Sequence, residues 1–340
     1  MLIWADGFDH WGTDANFQTA YTVSNSVSLS AAHVRTGSKS LLVSNNRALV
    51  KKFITGVTEV IMGVAVYQDQ QQPINNQPFM IHFADNGGNV ICQLRFEAGQ
   101  QLFFCNGNHG TTLGSSAAGV VPLLAYNYVE VQLNNTTGNV TVRVNNAIVL
   151  QIVGGNITNH NAITCIAFGG DFFGVNALDI PSWLADFYIA DTTAPNNAFF
   201  GDIRCRTIYP NANGAAQDWT PHGAANAWDC VNDVPPTPGV NYISASVVGN
   251  KSSFGMTDIP TNTAGINGIM LFANLNKSDA GACTITPGVD SAGHTATAPA
   301  INPGVGAAFY AGAIQLDPNG GAQWQYPAIN ALLTTVERTA

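Results

Sequence analysis

Val129-Glu130-Val131-Gln132-Leu133, a turn over Asn134 to Gly138, Val140-Thr141-Val142-Arg143-Val144, the pair Asn145-Asn146, and Ile148-Val149-Leu150-Gln151-Ile152 form the stretch that decides the fold. Apolar and polar residues alternate with a period of two, and Asn/Gly turns punctuate the runs. That pattern predicts antiparallel strands with one buried face, joined by tight hairpins. Chains built this way form β-sandwiches, and by fold-level association such sandwiches more often bind or assemble than catalyse.

The same signature extends in both directions. Trp4 to Asp9 opens the chain as a strand, and His33–Arg35 to Val43 and Ala48 to Phe53 form an early hairpin. Strands follow over Glu59–Tyr67, Phe79–Ala84, Val90–Phe96 and Gln101–Cys105, with Asp85-Asn86-Gly87-Gly88-Asn89 as a hairpin turn. Ile163–Gly169 and Trp183–Ala190 complete a set of about a dozen strands, a normal number for a two-sheet jelly roll. Residues 1–192 are therefore expected to form one sandwich. Residues 193–240 read as an extended linker containing Pro and Trp. Residues 241–340 read as a smaller β-domain whose strands are Tyr242–Val248, Gly268–Leu275, Ala282–Ile285 and Ala307–Leu316. Trp324, Ile329, Leu332 and Leu333 stand at helical spacing with Pro327 suited to a first turn, so one helix is expected to close the chain. The fold class is all-β: an N-terminal two-sheet jelly-roll sandwich, then a C-terminal β-domain with one terminal helix.

Composition narrows the function. The 340 residues suit two domains, or three. Only 10% of them are charged, far below the usual quarter, and the net charge is −9. A polar but uncharged surface loses little on desolvation and tolerates close neighbours. With no basic run there is no footprint for phosphates, so neither nucleic acid nor an anionic membrane is an expected partner. The start Met1-Leu2-Ile3-Trp4-Ala5-Asp6 lacks the features of a secretory signal, and no apolar run is long enough to span a membrane. Synthesis as a soluble cytoplasmic chain is expected. The six cysteines show no metal-ligand spacing and are expected as buried, reduced thiols. Cys205 and Cys230 are the first pair to test for a disulfide. No cofactor and no metal is expected.

The sequence carries none of the common hydrolase motifs. The four glutamates, Glu59, Glu97, Glu130 and Glu337, are far apart, and no Glu-x-Asp-x-x-Glu string is present. GxSxG and HExxH are missing. Asp6, Asp9 and Asp186 come together if the first and last sandwich strands pair. They are then a Ca²⁺ site or, as the commoner outcome, turn-forming and capping residues. The loop Asp171 to Asp179 mixes aromatics with Asp and Asn, as sugar sites do. Asp171, Phe172, Asn176 and Asp179 are its candidate glycan contacts, with an inter-subunit contact as the preferred reading because exposed aromatics also anchor interfaces. Trp219, Trp228 and Tyr209 are candidate interface anchors, and packing against the chain's own residues is the equal alternative.

Five segments resemble, in order, those of tailed-bacteriophage virion proteins with a concanavalin/laminin-G-like sandwich. They are Gly7-Phe8-Asp9-His10-Trp11, the closing strand Trp183 to Asp191, Gly201-Asp202-Ile203-Arg204-Cys205-Arg206-Thr207-Ile208-Tyr209-Pro210, Trp219-Thr220-Pro221, and Asp317-Pro318-Asn319-Gly320-Gly321-Ala322-Gln323-Trp324. The departures are Trp11 in place of a Tyr and Gln325 in place of a Thr. The resemblance implies a non-enzymatic virion component, a minor tail protein or capsid decoration, assembled in the host cytoplasm. Its partners would be other capsid or tail proteins and further copies of itself, a trimer being one option. A receptor-binding lectin that recognises host surface glycans is the alternative. A tail-associated glycan depolymerase is the remote one.

Overall fold

The computed structural model describes residues 1–24, 26–44, 48–70, 78–157, 161–173, 180–234, 236, 239–261, 263 and 265–340. The chain divides into two compact units. The first comprises Met1, residues 3–9 and residues 20–205; the second comprises Leu2, residues 10–19 and residues 206–340.

The first unit is a sandwich of two antiparallel sheets. One sheet runs in the order Ala147–Ile152, Asn139–Val144, Tyr126–Asn134, Glu59–Gln68, Ser182–Asp191, Ser40–Val43, Val27–Ser30, with Leu2–Asp6 also paired to Ser182–Asp191. The other runs Thr112–Ser115, Gln101–Asn106, Val90–Glu97, Met80–Ala84, Ile163–Gly169, Leu49–Val57, Thr22–Val23. The deciding stretch folds as its pattern dictates. Val129, Val131 and Leu133 are buried and pair with Val144, Val142 and Val140. The Asn134 side chain accepts from the amides of Thr136 and Thr137 at 3.0 and 2.9 Å. Asn145 and Asn146 take φ of 50° and 71°, the left-handed pair that a two-residue hairpin needs.

Core-facing side chains alternate with a second set on the opposite face. In the first sheet that second set includes Tyr128, Glu130 and Tyr188 around Gly63. A Cβ at Gly63 would lie 2.3 Å from the Tyr188 ring and 2.9 Å from the Tyr128 ring, so only glycine fits there. Residues 199–205 lie over this face as a strap. Gly201 N donates to Glu130 Oε1 at 2.8 Å, Phe200 stacks on Tyr188 at 4.3 Å, and Cys205 N donates to Asp186 Oδ1 at 2.8 Å.

The second unit carries a five-stranded antiparallel sheet in the order Pro210–Gln217, Lys251–Met256, Leu333–Arg338, Ile285–Ser291, His294–Thr297. A two-stranded ribbon pairs Ile269–Leu275 with Ala308–Ile314. Two strands, Pro210–Gln217 and Thr220–His222, form inside the segment expected as an extended linker. The expected helix exists at Tyr326–Asn330 with Pro in its first turn, but it does not close the chain. Leu333 belongs instead to a strand that pairs on both sides, because Leu333-Thr334-Thr335-Val336 is rich in β-branched residues that suit a pleated surface. Trp324, Ile329 and Leu332 are buried with Val289 and Ile314 in this unit's core.

All six cysteines are free thiols; Cys205 and Cys230 point at the carbonyls of Phe187 and Ala224, at 3.8 and 3.7 Å. Among the described residues no helix is long and apolar enough to cross a membrane.

Candidate functional site

The outward face of the second sheet carries an unusual row. On the strand Met80–Ala84, Ile81 and Phe83 alternate with His82; on Val90–Glu97, Cys92 and Leu94 alternate with Gln93 and Arg95. The register sets Cys105 opposite Gln93, Gln93 opposite His82, His82 opposite Ala167, and Ala167 opposite Lys51. Directly opposed residues on antiparallel strands are side-chain neighbours. The row therefore runs Cys105, Gln93, His82, Ala167, Lys51 across five strands.

This face is covered. After Gly169 the chain turns back over the sheet. The Gly170 carbonyl meets His82 Nε2 at 2.7 Å, and the Phe172 ring sits edge-on to the imidazole with centroids 5.6 Å apart. Phe172 joins Leu49, Ala84, Val90, Cys165 and Ala167 in an apolar cluster. Lys51 Nζ lies 3.9 Å from the Phe172 ring centroid. Asp171 is buried and accepts from Asn108 Nδ2 at 2.9 Å and from Phe173 N at 3.1 Å, with His109 Nε2 at 3.6 Å. Arg95 forms an ion pair with Glu97 at the far edge.

Beneath the cover, polar atoms stand without partners. A carbonyl can only accept, so His82 Nε2 must carry a proton. Burial pushes the His82 pKa down to about 4, so the ring is neutral near pH 7 and Nδ1 holds a bare lone pair. Among the described residues that Nδ1 has no hydrogen-bond partner, nor do Gln93 Oε1, Gln93 Nε2, Asn108 Oδ1 or Arg95 Nε. His82 and Gln93 are fully buried. Three idle acceptors and two idle donors thus gather on one face and its rim. An unmade hydrogen bond of this kind costs about 1–3 kcal/mol, and native proteins hold few. A ligand rich in hydroxyl groups, each able to donate and accept, matches such a mixture.

Two of the four expected glycan contacts fall here. Asp171 and Phe172 form the cover itself, buried and not on an open rim; Asn176 and Asp179 lie outside the described residues. The expectation omits Lys51, His82, Gln93, Arg95, Asn108 and His109. The available signal is a polar residue at every second position of an otherwise apolar strand, as in Ile91-Cys92-Gln93-Leu94-Arg95-Phe96. Alternation assigns those residues to the face away from the core, but it cannot say that the face is roofed.

The other candidates are placed elsewhere. Trp219 is buried in the second unit and its Nε1 donates to Asn250 O at 3.0 Å. Trp228 is half-buried, its amide on Asn213 Oδ1 at 3.0 Å, and the Tyr209 amide donates to Thr257 Oγ1 at 3.1 Å. Asp6, Asp9 and Asp186 are buried in the first unit, and each carboxylate is taken up by the protein. Asp6 accepts from Phe8 N at 2.6 Å and Tyr21 OH at 2.8 Å, and Asp9 from Ser38 N and Lys39 N at 2.5 and 2.8 Å. Asp186 accepts from Arg35 Nη1 at 2.6 Å and Thr36 Oγ1 at 2.9 Å. Burial raises the Asp9 pKa. Among the described residues no three metal-ligating side chains cluster.

No protein-family model matches the chain, and no curated protein matches its sequence. Similar solved structures include a cellulose-induced protein, Cip1, at 18% identity and TM-score 0.43, over 55% of this chain and 96% of that one. A carbohydrate-binding module, CBM66 from Bacillus subtilis, is 5% identical at TM-score 0.36, over 51% of this chain and 96% of that one. A carbohydrate esterase from the Shiga toxin-encoding bacteriophage phi24B is 9% identical at TM-score 0.36, over 50% and 89%. What these proteins bind or cleave is a property of theirs; the site here is read from its own residues.

Proposed function

We propose that the protein is a non-enzymatic glycan-binding component of a tailed-phage particle, and that its sandwich takes the sugar on the face of His82 and Gln93. The observation that carries the glycan reading is the set of idle donors and acceptors on that face. A buried glutamine with neither end of its amide paired is a standing cost to stability. Groups of that kind are kept where a ligand completes them. The sugar displaces Phe172 from the imidazole, and its hydroxyls donate to His82 Nδ1 and Gln93 Oε1 while accepting from Gln93 Nε2. Affinity per site is modest in this scheme, and repeated copies on one particle supply avidity. The particle setting comes from the ordered sequence resemblance to virion proteins. The low surface charge suits close packing beside other subunits.

A broad glycan array probed with purified protein tests the reading. Wild type is expected to bind a coherent set of glycans, and Gln93→Leu to lose that binding while keeping its far-ultraviolet circular dichroism. Binding that survives in Gln93→Leu, or its absence across the array for wild type, rejects the site.

A further inference from the structure

We propose that the glycan taken by this face is acidic, and that its carboxylate pairs with Lys51; this rests on the glycan reading above. The charged groups of the face are Lys51, Arg95, Glu97, His109 and Asp171. Arg95 is paired with Glu97, and Asp171 is held by Asn108, Phe173 N and the neighbouring His109. Lys51 is left over: among the described residues it makes no ion pair, and its ammonium rests on the Phe172 ring at 3.9 Å. A shortage of carboxylates does not explain this, since the chain has 21 acidic residues against 12 Lys and Arg.

The geometry couples Lys51 to ligand entry. Phe172 both roofs His82, at 5.6 Å between centroids, and holds the Lys51 cation. A sugar that reaches His82 and Gln93 must move Phe172, and the same movement strips Lys51 of its partner. A neutral sugar leaves that half-buried ammonium bare. A sugar acid replaces the lost cation–ring contact with an ion pair at the end of the row, while its hydroxyls satisfy the middle. Lys51 is thus a specificity-determining residue: it selects between glycans, and His82 with Gln93 supplies binding common to both.

Paired oligosaccharides that share linkage and length but differ at C6, hexose against hexuronate, provide the test by calorimetric titration. Wild type is expected to prefer the hexuronate roughly tenfold, or ~1.4 kcal/mol, and the preference should shrink between about 0.05 and 0.5 M salt. Lys51→Met should bind both members equally, at or above the affinity wild type shows for the hexose, and Lys51→Arg should keep the preference. Equal binding of the pair by wild type, or an undiminished preference in Lys51→Met, overturns the proposal and leaves the glycan site standing. Binding of neither, or full binding by Gln93→Leu, overturns the glycan site as well.

Discussion

Gln93 shows how a single side chain can be wrong for stability and right for function. Both ends of its amide are buried and unpaired among the described residues, so an apolar side chain of similar size removes two desolvation penalties at once. Gln93→Leu is expected to raise unfolding stability by about 1–2 kcal/mol, read from the urea midpoint at unchanged m-value. A midpoint that falls would mean the amide is satisfied in solution and no ligand is needed to explain it. His82 makes a second, pH-dependent contribution. Its folded pKa, about 4, lies below the ordinary 6.5, so between those values the unfolded chain binds a proton that the folded chain refuses. Stability is therefore unaffected above pH 6.5 and falls as pH drops from 6.5 towards 4, by up to about 3 kcal/mol. His82→Gln keeps a donor for the Gly170 carbonyl and cannot titrate. Subtracting its pH profile from that of wild type should isolate this loss in that window, and identical profiles would place the imidazole in contact with water. Neither residue stands out in the sequence, where a lone His or Gln within a strand reads as ordinary. Their meaning comes from Gly170 to Phe173, a non-local roof that no periodicity reveals.

The strap over the first sheet behaves in the opposite way, because its polar groups are matched. Asp186 sits in a bulge between Ala185 and Tyr188 with φ of 50°, a conformation that Asp tolerates and that turns its carboxylate out of the strand's alternation. There it meets Arg35 Nη1 at 2.6 Å, and Arg35 also holds Ile203 O at 2.9 Å, pairs with Asp202, and lies 5.0 Å from the Tyr128 ring centroid. The Arg35 side chain is 6% exposed and that of Asp186 is fully buried. Arg35→Ala leaves a buried carboxylate without its cation, a change that costs about 3–5 kcal/mol, and the urea midpoint should drop accordingly. A drop below about 1 kcal/mol would show the pair to be no stronger than a surface ion pair. Strand elements of this unit are legible because a half-buried strand writes its face into every second residue. The strap is visible only through the resemblance of Gly201 to Pro210, since Gly201 N and Cys205 N bind carboxylates of Glu130 and Asp186 that are distant in sequence. The closing helix is misjudged for a local reason: Leu332 and Leu333 are adjacent, and four apolar residues at helical spacing outweigh the β-branched run that follows.

At the scale of the molecule, sequence order and spatial membership part company at residues 10–19. They follow the first strand directly, yet they belong to the second compact unit, with residues 206–340. Trp11 explains why. It is fully buried, and its ring meets Phe272 and Phe309 edge-on with centroids 5.7 and 4.9 Å apart, alongside Phe17 at 6.1 Å. Contacts over such sequence separations leave no mark on local hydrophobic patterning, so the membership of residues 10–19 in the second unit is not legible in the sequence. The aromatic packing makes Trp11 a support of the ribbon Ile269–Leu275 and Ala308–Ile314. Trp11→Ala removes a large buried ring and opens a cavity, a change worth about 3–5 kcal/mol. Because structural units open separately, the loss should be regional. Hydrogen exchange followed by mass spectrometry is expected to show faster exchange at 269–275 and 308–314 while the strands at 126–134 and 139–144 keep their protection. Equal loss in both units would mean that residues 10–19 stabilise the sandwich as much as the ribbon. Protection unchanged everywhere would mean that the ribbon stands on its own backbone pairing, without Trp11.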